Sequence, residues 1–387
     1  MRVVVVGGSG NVGTALLRRL SGDQAITSVA AVARRTPAST PVPPYDVAEW
    51  TSCDVGAQGA DGPIVDRLAR VFAGADAVVN LAWAIQPSHV RDRLRRTNVV
   101  GAQRVVAATA AAGVPHLVAA SSVGAYSPVD DDVPRSEDWP TEGIPSSSYS
   151  VDKAQVERVL DDAERRFPEL TITRVRPALV FQHDAGHEIG RYFLGPLVPR
   201  AALRGRLPVL PWPRGLRLQA VHADDLADAY REVLVRRTAG AVNIAGPGVI
   251  RAQDVAELLS QGRWLEAPVP LARAAITAGW RARAVPVGPG WLDMAMSAPL
   301  LNTTRAHHEL SLRPQRSGIQ ALADLLPGIA AGAGAGSPPL RAAKGGRTRR
   351  RAATGQADRA RQDDAPHGAS RQPTTEGKHQ ASQDGGS

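Results

Sequence analysis

Within SSSYSVDKAQVERVL, residues 146–160, Tyr149 and Lys153 stand four apart, one above the other on a helix face. Tyr149, Lys153, Val156, Leu160, Ala163 and Phe167 recur at three- and four-residue steps, so both fall on the inward stripe of an amphipathic helix. A tyrosine on such a stripe can serve packing alone, but a lysine is rarely buried without a partner. Of 46 basic residues only Lys153, Lys344 and Lys378 are lysines, so arginine supplies every other basic side chain in the first 343 residues. Arginine stays protonated and carries a planar fork, whereas lysine is a compact point charge whose pKa moves readily. One lysine, one turn beyond a tyrosine, suits proton transfer to or from a hydroxyl. The strand end PHLVAASS adds Ser121 and Ser122 as hydroxyls for a substrate oxygen, at the carboxyl edge where open parallel sheets bind ligands.

A second constellation opens the chain. VVVVGGSGNVGTALL carries Gly7, Gly8, Gly10 and Gly13, which satisfy both GxGxxG and GxxGxxG. Following a strand and opening a helix, such glycines turn the chain tightly, let backbone approach a pyrophosphate and seat the helix on the sheet. The helix N-terminus adds unpaired amides and a positive dipole end. With a dinucleotide here, a positively charged nicotinamide ring and the Lys153 ammonium would draw the Tyr149 phenol from about 10 toward neutrality while a hydride moves. The acid that usually holds the adenosine ribose is missing; the second strand ends Ala33-Arg34-Arg35. Arginine forks suit a 2′-phosphate, so NADP is favoured over NAD. No GK[ST] follows the glycines, which disfavours a P-loop ATPase or kinase.

The elements that must hold these residues alternate. Strands read at 2–6, 26–35, 48–55, 75–82, 115–122 and 170–177, with helices at 11–20, 62–74, 91–113 and from 148 onward. Alternation predicts an α/β fold, a doubly wound parallel sheet of the Rossmann type. After Pro177 the texture becomes rich in Pro, Gly and Arg, then VHADDLADAYREVL and GAVNIAG return to helix and strand. The predicted layout is a dinucleotide-binding domain at 1–180 with 216–248 returning to it. A smaller substrate-binding subdomain takes 181–215 and 249–330, and a disordered basic tail takes 331–387.

Composition narrows the classes. Residues 335–387 hold ten Lys/Arg and five Asp/Glu, which is +5 of the net +9, and almost no large apolar side chains. Such a segment cannot offset its ordering entropy by burial. It could touch a polyanion through Arg347–Arg351, but no base-reading motif is visible, so no specific nucleic-acid partner is expected. Cys53 stands alone, which excludes an internal disulfide and fits a reducing cytoplasm. No run approaches the ~18 apolar residues of a membrane span. His183-x3-His187 and His307-His308-Glu309 lack complementary ligands, so no metal site is read. Asp130-Asp131-Asp132 reads as a solvated loop, and Trp212 as packing or a pocket wall.

Together these residues resemble the extended short-chain dehydrogenase/reductases, the NAD-dependent epimerase/dehydratase family, over roughly residues 1–325. GGSGNVG resembles its glycine motif, ADAVVNLAW its D-x-V-x-H-L-A strand, TNVVGAQ its N-V-x-G-T segment and SSVGAY its S-S-x-x-V-Y. SYSVDK contains its Y-x-x-x-K, and RPALVF, VHADDLADA and LLNTTRAHHEL echo later motifs. The resemblance implies Ser122, Tyr149, Lys153 and Asn98 as catalytic residues, with Ser122 rather than Ser121 in the serine role. It implies cofactor contacts at Gly7, Gly10, Asn11, Val12, Gly13, Arg34, Arg35, Asp54, Val55, Leu81, Ala82, Trp83, Tyr149, Lys153 and Pro177. It also implies a small-molecule substrate, a sugar nucleotide or another small carbonyl compound, and a homodimer through the helices at 91–113 and 148–167. The departures are Val6 before the first glycine, Ala33, Gln182-His183 after RPALVF, and Trp83-Ala84-Ile85-Gln86 where small residues are more frequent. Val123-Gly124 after Ser122 argues against dehydration. The expected activity is NAD(P)-dependent oxidoreduction or epimerisation with Tyr149 as acid/base. The alternative is a dinucleotide-sensing regulator without catalysis.

Overall fold

A computed structural model of the chain describes residues 1–86, 89–194 and 203–343. Its strands are β1 (Arg2–Val6), β2 (Ser28–Ala33), β3 (Ala48–Ser52), β4 (Ala77–Asn80), β5 (His116–Ala120), β6 (Thr171–Pro177), β7 (Leu179–Phe181), β8 (Leu210–Pro213), β9 (Ala220–His222), β10 (Gly240–Ile244) and β11 (Trp264–Ala267). Its helices are α1 (Asn11–Leu20), α2 (Asp61–Phe72), α3 (Arg91–Arg95), α4 (Gly101–Ala111), α5 (Ser148–Arg166), α6 (Gly186–Ile189), α7 (Ala223–Arg236), α8 (Ala252–Ser260), α9 (Val269–Arg281), α10 (Gly290–Ser297), α11 (Thr304–Glu309) and α12 (Gly318–Ala331). Seven strands form one parallel sheet in the order β10-β6-β5-β4-β1-β2-β3. This is the doubly wound Rossmann arrangement, whose order reverses beside β1 and places ligands at the strands' carboxyl ends.

The apolar run RVVVV is explained by burial on both faces. Val3 and Val5 join Leu16, Leu17, Tyr230 and Leu234 beneath α1 and α7. Val4 and Val6 join Leu68, Phe72, Val105 and Leu160 beneath α2, α4 and α5. Beyond β6, the β7–β9 and β8–β11 pairs are also parallel. Trp212 packs with Leu210, Ile250 and Leu326 there and donates to the Leu216 carbonyl, 2.9 Å.

Three expectations change. The helix at 91–113 is interrupted by a π-helical turn, Arg96–Val100, between α3 and α4; such bulges gather at functional sites because they redirect a side chain, here that of Asn98. The Asp131 and Asp132 loop is ion-paired rather than merely solvated, to Arg135 and to Arg217 and Arg251. Finally, the boundary at 331 is too early. Past the Gly332 cap the chain folds back, with the Ala335 amide bonded to the Leu340 carbonyl and Ala343 to Gly332. Ala333, Ser337 and Leu340 are buried, and the Ser337 hydroxyl donates to the Ser9 carbonyl, 2.7 Å. Burial of these few side chains and pairing of their backbone suffice to order a segment of low hydrophobicity. The rest of the expected tail, 344–387, lies outside the described residues. No helix among the described residues is long and apolar enough to cross a membrane.

Candidate functional site

The turn after β1 is shaped by two close approaches. Gly7 has φ +85°, and a Cβ there would lie 2.7 Å from the Ala82 nitrogen at the end of β4. A Cβ on Gly13 would lie 2.6 Å from Gly8, so glycine lets α1 sit directly on the turn. Gly10 caps α1 without a side chain, and its own amide returns to the Gly7 carbonyl, 3.1 Å. The first-turn amides of α1 are therefore left for an anion. Val12 lies in that first turn, packed partly against the core. Asn11 is held from behind: Gln182 donates to its side-chain and main-chain oxygens at 2.6 and 2.9 Å, and Asn11 donates to the Val180 carbonyl. A backbone cradle without side chains fits a dinucleotide pyrophosphate.

The other expected cofactor contacts follow the sheet's carboxyl edge. Arg34 and Arg35 are exposed just past β2. Asp54, past β3, accepts from the Gly56 amide, 3.0 Å, and Val55 is buried against Gly101. Leu81 and Ala82 continue β4 beside Gly7, the Leu81 amide reaching the Val6 carbonyl. Pro177 closes β6 opposite Ile244.

Tyr149 and Lys153 enter on α5, whose N-cap is the Ser147 side chain. Lys153 is buried; its ammonium donates to the Ala120 carbonyl, 2.9 Å, and stands 3.5 Å from the centre of the Trp83 ring. Loss of water pulls Lys153 down to about 7, against the opposing pull of Glu157 and Asp152. Burial likewise pushes the Tyr149 phenol up to about 12, with the Ser122 hydroxyl acting in the opposite sense. The expected drift of the tyrosine toward neutrality draws on the nicotinamide charge; in the protein alone dehydration dominates, opposed only by the Ser122 hydroxyl.

The two serines diverge. Ser121 donates inward to Glu157, which also accepts from Arg176 at 2.8 and 2.9 Å. Ser122 stays at the strand's edge, its hydroxyl accepting from the Gly124 amide, 3.0 Å. Asn98 turns toward the loop after β4: it donates to the Ala84 carbonyl, accepts from the Ala84 amide and donates to Asp152. Asp152 is buried and bound through both oxygens to Arg91. Glu157 and Asp152 were not singled out from sequence, and Gln182 only as a departure after RPALVF, where it instead holds Asn11. Glu157 had a legible signal, an acid one turn below Lys153; Asp152 and Gln182 act only through distant partners.

Rings complete the site. Trp83 meets Tyr149 edge-on at 5.5 Å, Trp291 from α10 tilts over Tyr149 at 5.0 Å, and Phe193 meets Trp291 edge-on at 4.9 Å. Neither Phe193 nor Trp291 was expected, because each comes from a segment without periodicity.

The model of the NAD-dependent epimerase/dehydratase family matches residues 3–245. An uncharacterised protein of Mycobacterium tuberculosis (strain ATCC 25618 / H37Rv) is 25% identical over 339 residues, 84% of this chain and 83% of that protein. A dTDP-glucose 4,6-dehydratase from Streptomyces venezuelae, solved with NAD bound, is 21% identical with a TM-score of 0.61, covering 85% of this chain and 96% of that one. A UDP-glucose 4-epimerase from Thermotoga maritima, solved with UDP-glucose, is 18% identical with a TM-score of 0.63, covering 85% and 98%. At these identities the two structures are likenesses of fold.

Proposed function

Because the chain belongs to the NAD-dependent epimerase/dehydratase family of enzymes, we propose that Tyr149 is the acid/base of an NADP(H)-using oxidoreductase acting on a hydroxyl or carbonyl substrate. The observation that carries this reading is Lys153, the lone lysine of residues 1–343, buried one helical turn from Tyr149 with Ser122 at the neighbouring strand end. The glycine turn and first-turn amides of α1 would hold the pyrophosphate, Lys153 the nicotinamide ribose, and Arg34 and Arg35 a 2′-phosphate. When bound, the nicotinamide cofactor supplies or accepts the hydride. Ser122 orients the substrate oxygen, Tyr149 passes the proton to or from it, and Asn98 positions the Trp83–Gln86 loop through Ala84. Segments 181–215 and 249–330 would shape the substrate side.

The test is Tyr149→Phe, which removes only the hydroxyl. Turnover across a carbonyl and sugar-nucleotide panel should fall about 100-fold or more, while calorimetry shows NADPH bound as in the parent and tighter than NADH. Unchanged turnover sinks the assignment. The Trp83 ring lying on the Lys153 ammonium favours a second reading, a dinucleotide sensor without catalysis; it predicts NADPH binding with no turnover in the parent.

A further inference from the structure

The chain is poor in aromatic residues, with seven Trp, five Tyr and four Phe in 387. Even so, Trp83 and Trp291 converge on Tyr149 from the β4 edge and α10, and Phe193 from the segment after α6 packs edge-on against Trp291. Met294 adds its sulfur against Gly124, beside the same tyrosine ring. The arrangement is braced: Gln86 donates to the Tyr192 and Pro286 carbonyls, tying the Trp83 loop to both other segments. Within it, the Trp83 indole nitrogen is buried with no partner among the described residues, a donor left for a ligand acceptor. Three arginines around it are already paired, while Arg191, beside Phe193, lies over the Tyr192 ring at 5.0 Å. Arg91 is paired with Asp152, Arg273 with Asp293 of α10, and Arg217 with Asp132 while donating to the Met296 and Asp131 carbonyls.

From these rings and the Trp83 indole donor we infer that the substrate is an aryl ketone or aldehyde, not a nucleoside-diphosphate sugar. A flat apolar ring stacks on Trp291 and Trp83, which favour offset and edge-on partners. A diphosphate would bring negative charges that need unpaired arginine or lysine forks. The carbonyl oxygen lies between Tyr149, Ser122 and the Trp83 indole N–H. Its carbon gains the hydride and its oxygen the Tyr149 proton, giving an alcohol and the oxidised cofactor. This inference rests on the reductase reading above.

The probe is 2-acetylnaphthalene, compared with UDP-glucose on the full chain. Binding is read by calorimetry with and without NADPH, and turnover by NADPH absorbance. The ketone should bind and be reduced; Trp291→Ala should raise its dissociation constant and KM about 10-fold or more, with NADPH affinity nearly unchanged. Trp291→Phe should recover most of the loss, separating a ring contact from a folding defect. UDP-glucose binding and turning over in place of the ketone overturns the inference, as does ketone binding that Trp291→Ala leaves unchanged. Ketone binding without any NADPH binding supports the aromatic site and overturns the reductase reading alone.

Discussion

At Gly7–Gly13 the chain exposes backbone, whereas around Tyr149 it gathers rings. The glycine turn has almost no side chains and is held from outside, by Gln182 on Asn11 and by Ser337 on the Ser9 carbonyl. The Tyr149 end is built from side chains delivered by separate elements and is dry enough to move Lys153 to about 7 and Tyr149 to about 12. Recognition by amides depends on chain path, so it tolerates no added atoms. Recognition by rings depends on area, so it tolerates exchange of one ring for another.

The sharpest break between the two ends is Gly13→Val. Its Cβ would already lie 2.6 Å from Gly8, and the turn must shift to admit the rest of the side chain. NADPH affinity should fall about 100-fold, ~2.7 kcal/mol, with a further overpacking cost of about 1–3 kcal/mol in stability. Binding of 2-acetylnaphthalene in calorimetry should stay close to the parent. Equal loss of both ligands would show that the ends are not separate.

Asp152→Asn tests the junction between them. The Asp152 carboxylate is buried beneath the Asn98–Ala84 clasp and holds Arg91, itself 36% exposed. Breaking a buried pair costs about 3–5 kcal/mol, but solvent around Arg91 screens the charge, so about 1–2 kcal/mol is expected here. Urea unfolding should show that loss, and the Trp83 loop should loosen, with ketone affinity falling more than NADPH affinity.

The same contrast governs what could be read from sequence. RVVVVGGSGNVG announced its strand, turn and helix because backbone geometry imposes glycines at fixed offsets. Lys153 was legible through its rarity and its spacing from Tyr149. Trp291 and Phe193 were not, because their role depends on where α10 and the segment after α6 are carried in space. The π-turn that aims Asn98 at Ala84 also left no local mark. Ser337 was hidden in a Gly-, Ala- and Pro-rich segment whose composition argues for disorder, although burial of Ala333 and Leu340 outweighs that tendency.

Lys153→Met isolates the cost of the dry end. An unfolded lysine titrates near 10.4, whereas burial holds Lys153 at about 7. Between those values the unfolded chain carries the extra proton, so the parent gains stability as pH rises from about 7 to about 10.4. The variant lacks that dependence. At pH 6 it should melt above the parent, by ~1 kcal/mol or more, and the gap should close toward pH 10. A variant less stable at pH 6 would mean that Lys153 is a net stabilising partner of Glu157.

Ser337→Ala is the smallest expected effect and bears on the other end alone. The Ser337 hydroxyl donates to the Ser9 carbonyl inside the glycine turn and is buried, so removing it leaves that carbonyl without this donor. A neutral hydrogen bond of this kind contributes about 1 kcal/mol, and the melting temperature should fall by roughly 2–4 °C. NADPH affinity should weaken by up to about fivefold, since the loss falls on the turn proposed to hold the pyrophosphate. Ketone binding at Tyr149 should not change. A fall in ketone affinity with NADPH affinity intact would place the folded-back segment's influence at the rings instead of the turn.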